Sequence, residues 1–330
     1  MGNMHRASCA LNELAELVAV SDINPDICQS KAKDWGAEAA PDYKSMLQRS
    51  DIDAVFITTP TPTHAELAVE ALEHGKHTFV EKPMARTLEQ AKTMVDAASQ
   101  TDRVCMVGQV IRFWPEYRVF REAVAENRYG RLVSLRLHRT GGCPTWGVNN
   151  WFIEGTQSGS AALDLHTHDT DFVVYLLGRP EMVHSHGSKD HTGWWSIVTR
   201  YVYPDGPSVY AEGTWYYSEK FPFNMSFRAV FEQGVLDYDC GREDTLLFYP
   251  KTGEPEKPHL PEIPKAQAEG INITDIGAYY LEDIHFFECI AQGREPETAT
   301  FRTTYESLQV VFSEIRSADE NKPVRIEEVS

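Results

Sequence analysis

The chain has 330 residues, more than one hydrophobic core usually serves, so two domains are expected. Apolar residues make up 42% and charged residues 24%, an ordinary globular composition, while the formal net charge of −18 repels phosphate backbones and speaks against nucleic acid as a partner. No apolar run is long enough to span a bilayer, no basic-then-apolar leader opens the chain, and the six scattered cysteines contain no C-x-x-C pair, so a cytoplasmic protein with reduced thiols and no membrane partner is expected.

The opening "MGNMH" stretch reads as a helix with a glycine at its start, and "ELVAVS" (16–21) as a buried strand closed by Asp22. "NPDICQSKAKDWG" predicts a helix with Asn24 as cap, Pro25 at its first position and Gly36 ending it. The strand "DAVFIT" (53–58) leads to the helix "THAELAVEALEHG" (63–75), with a cap at Thr63. The strand "HTFV" (77–80), the helix "TLEQAKTMVDAASQ" (87–100) and the strand "VCMVG" (104–108) follow. Apolar strands alternating with helices predict a parallel sheet covered on both faces, with ligands at the carboxyl ends of its strands. Residues 1–108 are therefore expected to form a doubly wound nucleotide-binding (Rossmann) domain.

After residue 109 the pattern changes. A helix "PEYRVFREAVAEN" precedes the strand "RLVSLRLHR". Residues 181–249 alternate apolar and polar positions with turn signals between them, which predicts an antiparallel meander. Helices resume at "AYYLEDIHFFECIAQG" and "TTYESLQVVFSEIRSA", and "YPKTGEPEKPHLPEIPKAQ" reads as a surface loop. Residues 109–330 are expected to be an α+β substrate-binding and oligomerisation domain, its large, mostly antiparallel sheet covered by helices on one face.

Four stretches carry residues suited to chemistry. Asp22 ends a strand 20 residues after Gly2, the spacing at which a carboxylate receives ribose hydroxyls and repels a 2′-phosphate; "SDINPD" is equally rich in helix caps. "TTPTPTH" (58–64) sets hydroxyls on a stiff turn at the end of a strand, or caps a helix. In "FVEKPMA" a Glu-Lys pair stands at the end of a buried strand, where the lysine can bind a hydroxyl and lower its pKa; elsewhere such a pair is a surface ion pair. In "SGSAALDLHTHDTDFVVYLLG" a helix from about Ser160 would put Asp164 and His168 one turn apart on one face, with Asp171 three residues on and His166 facing elsewhere. A histidine beside a carboxylate is a proton acceptor near neutral pH. The same His-x-His would suit a metal if the segment were a strand, or simply start a structural helix.

Together these pieces resemble the glucose–fructose oxidoreductase / inositol dehydrogenase (Gfo/Idh/MocA) family over the whole chain. "EKPMA" is similar to its E-K-P motif, "GSAALDLHTHDTDFVVYLLG" to its D-x-G-x-H-x-x-D segment, and "VGQVIRFWPEY" to the strand and turn entering its second domain. The resemblance implies hydride transfer between a nicotinamide and a hydroxyl-bearing carbon of a sugar or polyol, with NAD favoured over NADP, no metal, and a homodimer or homotetramer. It implies Lys82, Asp164 and His168 as the catalytic set. Cofactor contacts would fall on Gly2, Asn3, Met4, Asp22, Thr59, Pro60, His64, Glu81, Lys82 and Gln109. His166 stands where the motif has glycine, and with Arg112, Trp146 and Trp151 is expected on the substrate wall. A redox-neutral glycoside-cleaving enzyme of the same fold and a non-catalytic nicotinamide or sugar sensor are the competing readings. Family members open with a strand and a G-x-G-x-M-G-x-x-H loop; here Gly2 and His5 match the loop's end, and the first strand has no counterpart. Met1 is accordingly expected to be internal, with about a dozen residues of strand and loop before it.

Overall fold

A computed structural model describes residues 1–145, 147, 150–263 and 276–326. In chain order its elements begin with α1 (Gly2–Cys9), β1 (Ala19–Val20), α2 (Pro25–Trp35), β2 (Glu38–Ala39), α3 (Tyr43–Leu47), β3 (Ala54–Ile57), α4 (His64–Glu73), β4 (His77–Val80), α5 (Leu88–Ala98) and β5 (Cys105–Val107). There follow α6 (Pro115–Ala125), β6 (Leu132–Gly142), α7 (Gly155–Ser158), α8 (Ser160–Asp164), α9 (Thr167–Leu177), β7 (Met182–Asp190), β8 (Gly193–Val202) and β9 (Ser208–Tyr216). The chain continues through β10 (Asn224–Phe231), β11 (Gly234–Asp239), β12 (Leu246–Pro250), α10 (Gly277–Gln292), α11 (Phe301–Glu320) and β13 (Val324–Arg325). None of the described helices is long and apolar enough to cross a membrane.

The chain divides into two units, residues 1–110 with 263–302 and residues 111–262 with 303–330. Residues 263–302, expected with the second domain, pack with residues 1–110. The reason is aromatic. Phe56 of β3 and Phe79 of β4 stack at 4.7 Å, and Phe286 of α10 meets them edge-on at 5.4 and 5.6 Å.

In the first unit, local chemistry places the elements as expected. Asn24 caps α2 by accepting the Asp26 and Ile27 N–H groups, Pro25 begins the helix, and Gly36 ends it at φ +70°. Thr87 caps α5 through the Gln90 N–H. Thr63 is not a cap: its hydroxyl donates back to Pro60 O at 2.9 Å, closing a short 3-10 turn over Thr61–Thr63 before α4. The five parallel strands form a pair, β1–β2, and a trio, β3–β4–β5. Among the described residues no strand joins β1 to β3.

The second unit is built on an eight-stranded sheet in the order β12-β11-β10-β6-β9-β8-β7-β13. It is not one meander. Two three-stranded meanders flank β6, which pairs antiparallel with β10 and parallel with β9. The alternation in β8, with Trp195, Ile197, Thr199 and Tyr201 buried, leaves one face covered. Helices supply the cover: Tyr117 of α6 lies edge-on to Phe172 of α9 at 4.7 Å and to Phe227 of β10 at 5.0 Å.

Candidate active site

In the first unit the turn after β4 carries Glu81, Lys82 and Pro83. Lys82 is half-buried, and its N–H donates to Glu81 Oε2 at 3.0 Å. The opposite side of the turn is held by His64, whose ring nitrogens lie 2.9 Å from Pro83 O and 2.8 Å from Thr59 O. His64 therefore ties the ends of β3 and β4 together. It is buried, and both nitrogens face main-chain carbonyls. Burial pushes its pKa down, offset only in part by the two carbonyls.

Glu81 is held in a similar way. It is 4% exposed and its other oxygen takes the His5 Nε2 at 2.8 Å. Met4 packs its side chain in the core and donates its N–H to Met1 O. Gln109 is also buried, just beyond β5. What is presented at the carboxyl ends of the parallel strands is Asp22 after β1, Thr59 and Pro60 after β3, and Lys82 after β4, with Gly2 and Asn3 half-exposed at the start of α1. One Asp22 oxygen accepts the Asn24 N–H at 2.8 Å, so it serves the turn that begins α2.

The second unit holds Asp164 and His168, but not on one continuous helix. The chain breaks at Leu165–His166, where both N–H groups bond to Ala161 O at 3.0 and 2.8 Å. Asp164 ends α8, buried, and His168 lies in the first turn of α9, half-buried. The next three side chains anchor that turn to three places. Asp169 takes a bidentate bond from Arg139 of β6 at 2.8 and 3.0 Å. The Thr170 hydroxyl donates to Glu314 of α11 at 3.0 Å and meets Tyr201 of β8. Asp171 takes Arg112 bidentately at 2.8 and 2.6 Å. Charge-assisted forks of this kind fix both distance and angle, so the start of α9, and His168 with it, is rigidly placed.

Two residues expected on the substrate wall, Arg112 and His166, are buried. Arg112 is 5% exposed, locked on Asp171 and stacked over the Tyr175 ring at 4.8 Å, so it is an internal anchor. His166 is fully buried against the sheet, 3.3 Å from Thr199 Oγ1 and 3.5 Å from Glu314 Oε2. Trp146 lies outside the described residues. Trp151 is half-buried and stacks on Phe152 at 4.0 Å.

His166 fits because β9 has a glycine beneath it. A Cβ on Gly213 would sit 2.7 Å from His166 Cβ and 3.1 Å from its Cα, atoms that cannot swing aside. Gly213→Ala is expected to lower stability by about 1–3 kcal/mol, the usual cost of overpacking a core, read by urea unfolding.

Burial drives His166 down to about 3, aided by the Arg139 cation, and drives Glu314 up to about 8. At neutral pH the two meet as an uncharged imidazole and a protonated carboxyl. Between pH 6.5 and 8 the folded state keeps the Glu314 proton that the unfolded chain has lost, so stability falls as pH rises. One proton over that window is worth about 2 kcal/mol. Glu314→Gln, which keeps an acceptor for Thr170, is expected to reduce the loss, leaving the part due to His5, raised to about 9, seen by comparing Tm at the two pH values. An unchanged slope in the variant would assign the effect elsewhere.

Sequence reading did not find His5–Asp283, Arg139–Asp169 or Glu314. Each joins residues far apart in the chain, and no local spacing signals them. Among the described residues no group of three His, Cys, Asp or Glu is arranged to hold a metal.

With this geometry in hand, the comparisons are specific. Residues 1–109 match the model of an oxidoreductase family with an NAD-binding Rossmann fold, and residues 117–237 match the model of the GFO/IDH/MocA C-terminal domain. The chain is 28% identical over 324 residues to scyllo-inositol 2-dehydrogenase (NAD(+)) of Bacillus subtilis, covering 95% of this chain and 89% of that one. It is 35% identical over 164 residues to levoglucosan dehydrogenase of Pseudarthrobacter phenanthrenivorans, an alignment spanning 48% of this chain and 42% of that enzyme. The solved structure of a levoglucosan dehydrogenase in complex with NADH and levoglucosan superposes with a TM-score of 0.84 over 100% of this chain and 98% of the other, at 23% identity, a likeness of fold.

Proposed function

The chain belongs to the Gfo/Idh/MocA oxidoreductase family, and from that premise we propose that it is an NAD-dependent dehydrogenase or reductase acting on a hydroxyl-bearing carbon of a sugar or polyol. The observation that supports this most is Lys82: a half-buried lysine on a turn braced from both sides, at the carboxyl end of a central parallel strand. Ligands of such sheets collect at that edge. The residues presented there suit a dinucleotide. Asp22 offers a carboxylate to the ribose diol and repels a 2′-phosphate, which favours NAD over NADP, and Gly2 and Asn3 open a helix whose first N–H groups suit phosphate. When bound, NAD supplies the hydride acceptor. Lys82 donates to the substrate hydroxyl oxygen and stabilises its developing negative charge. His168 takes the hydroxyl proton, and Asp164 orients the substrate or the imidazole. Trp151 offers an aromatic face of the kind that packs on sugar C–H patches.

The test is a panel of inositols, anhydro-sugars and glucosides assayed with NAD and with NADP, following the absorbance of the reduced nicotinamide. Reduction with at least one polyol, faster with NAD, is expected. No reduction with any would contradict the reading. The proposal also includes a cytoplasmic location, which the six unpaired cysteines suit. A homodimer or homotetramer, read by light scattering, completes it.

A further inference from the structure

Behind β4 lie three buried ionisable side chains to which the proposed chemistry gives no role. His5 of α1 stands between Glu81 and Asp283 of α10: its Nε2 is 2.8 Å from Glu81 Oε1, and its Nδ1 is 2.9 and 3.1 Å from the Asp283 oxygens. All three are nearly or fully buried, at 3%, 4% and 0% exposure. Burial alone would depress the imidazole, but the two carboxylates outweigh it and raise it to about 9, so the ring is an imidazolium donating to both.

Burying three charges is costly even when they are paired, and an apolar trio of similar volume would hold helix to sheet as well. Phe286 and Phe287 already dock α10 on Phe56. What the charged trio adds is direction. It fixes one Glu81 oxygen on His5, which leaves the other aimed at the Lys82 N–H at 3.0 Å. Gly108 leaves room for this. A Cβ there would lie 3.3 Å from both Cδ and Oε2 of Glu81, so the carboxylate packs flat against a residue with no side chain.

We propose that His5 and Asp283 are positioning residues for Lys82, acting through Glu81: an Asp–imidazolium–Glu relay carries the placement of α10 to the main chain of the lysine. The proposal rests on the reading of Lys82 as catalytic. A misplacement of about 1 Å at a catalytic group can cost on the order of 10²-fold in rate, which gives such a relay its purpose.

The test uses the full chain and two readouts, one of which needs no ligand. Amide hydrogen exchange at Lys82 is measured by NMR in the parent, in Asp283→Ala and in Asp283→Asn. Loss of the relay is expected to speed exchange at Lys82 ~10-fold or more in the alanine variant, with Phe79 and Val80 unchanged, and the asparagine, which still accepts from the imidazole, is expected to return it toward the parent rate. With NAD and the best polyol of the panel, kcat is expected to fall ~10–100-fold in the alanine variant while KM for NAD stays within about threefold. Should Asp283→Ala not fold, Gly108→Ala, which displaces Glu81 from the other side, is expected to give the same pattern. Parent-rate exchange at Lys82, or equal acceleration along the whole of β4, overturns the proposal. If Lys82→Ala retains parent turnover, the catalytic reading fails instead, and the exchange result still reports on the relay.

Discussion

Replacing Lys82 by alanine is expected to cut turnover by ~10²–10⁴-fold, the range for a group that polarises a reacting hydroxyl, or about 3–5 kcal/mol of transition-state stabilisation. The folded state should lose under about 1 kcal/mol, because the turn keeps its other supports. These are the Glu81 bond to the residue-82 N–H and the His64 contact with Pro83 O, both made to the main chain. Lys82→Arg is expected to restore little: a planar fork with five donors cannot take the place of a compact ammonium on one oxygen. Steady-state kinetics together with thermal unfolding decide it. Full activity in Lys82→Ala would remove the lysine from the mechanism.

His168→Asn is expected to lower kcat by a similar ~10²–10⁴-fold in steady-state kinetics, since asparagine cannot take the hydroxyl proton; turnover at the parent rate would remove His168 from the mechanism. Stability should hold. The start of α9 is secured by Asp169, Thr170 and Asp171, none of which depends on residue 168. His166, two residues earlier, is sealed in the second unit against Thr199 and Glu314 and held unprotonated by burial, so it is not available to do the same work.

That contrast shows where the sequence was legible. Short local signals held: Asn24, Pro25 and Gly36 bounded α2, and alternating strand and helix identified the parallel unit, because capping and periodicity depend on neighbours in the chain. The family motifs located the Lys82 turn and the α8–α9 segment. The same motifs do not tell which of their residues are buried. His64, Glu81, Arg112 and His166 were expected at the ligand and are all buried in support of their neighbours. Their partners are distant in sequence: Pro83 for His64, His5 for Glu81, Asp171 for Arg112, Gly213 and Glu314 for His166. Helical spacing also misled at Leu165–His166, where the chain turns onto Ala161 O and starts a new helix. The place of α10 in the first unit is illegible for a related reason: its apolar face could suit either core, and its partners there, Phe56, Phe79 and His5, are far away in the sequence.

The central claim is hydride transfer from a hydroxyl-bearing carbon, and isotope transfer tests it most directly. The chain is incubated with NAD and the best polyol of the panel carrying deuterium on the oxidised carbon, and the nicotinamide is analysed by mass spectrometry. The account predicts reduced nicotinamide carrying one deuterium, accumulating in step with the ketone. Consumption of a glycoside with release of a sugar and no accumulating reduced nicotinamide, or binding of NAD with no transfer to it from any polyol, would contradict it.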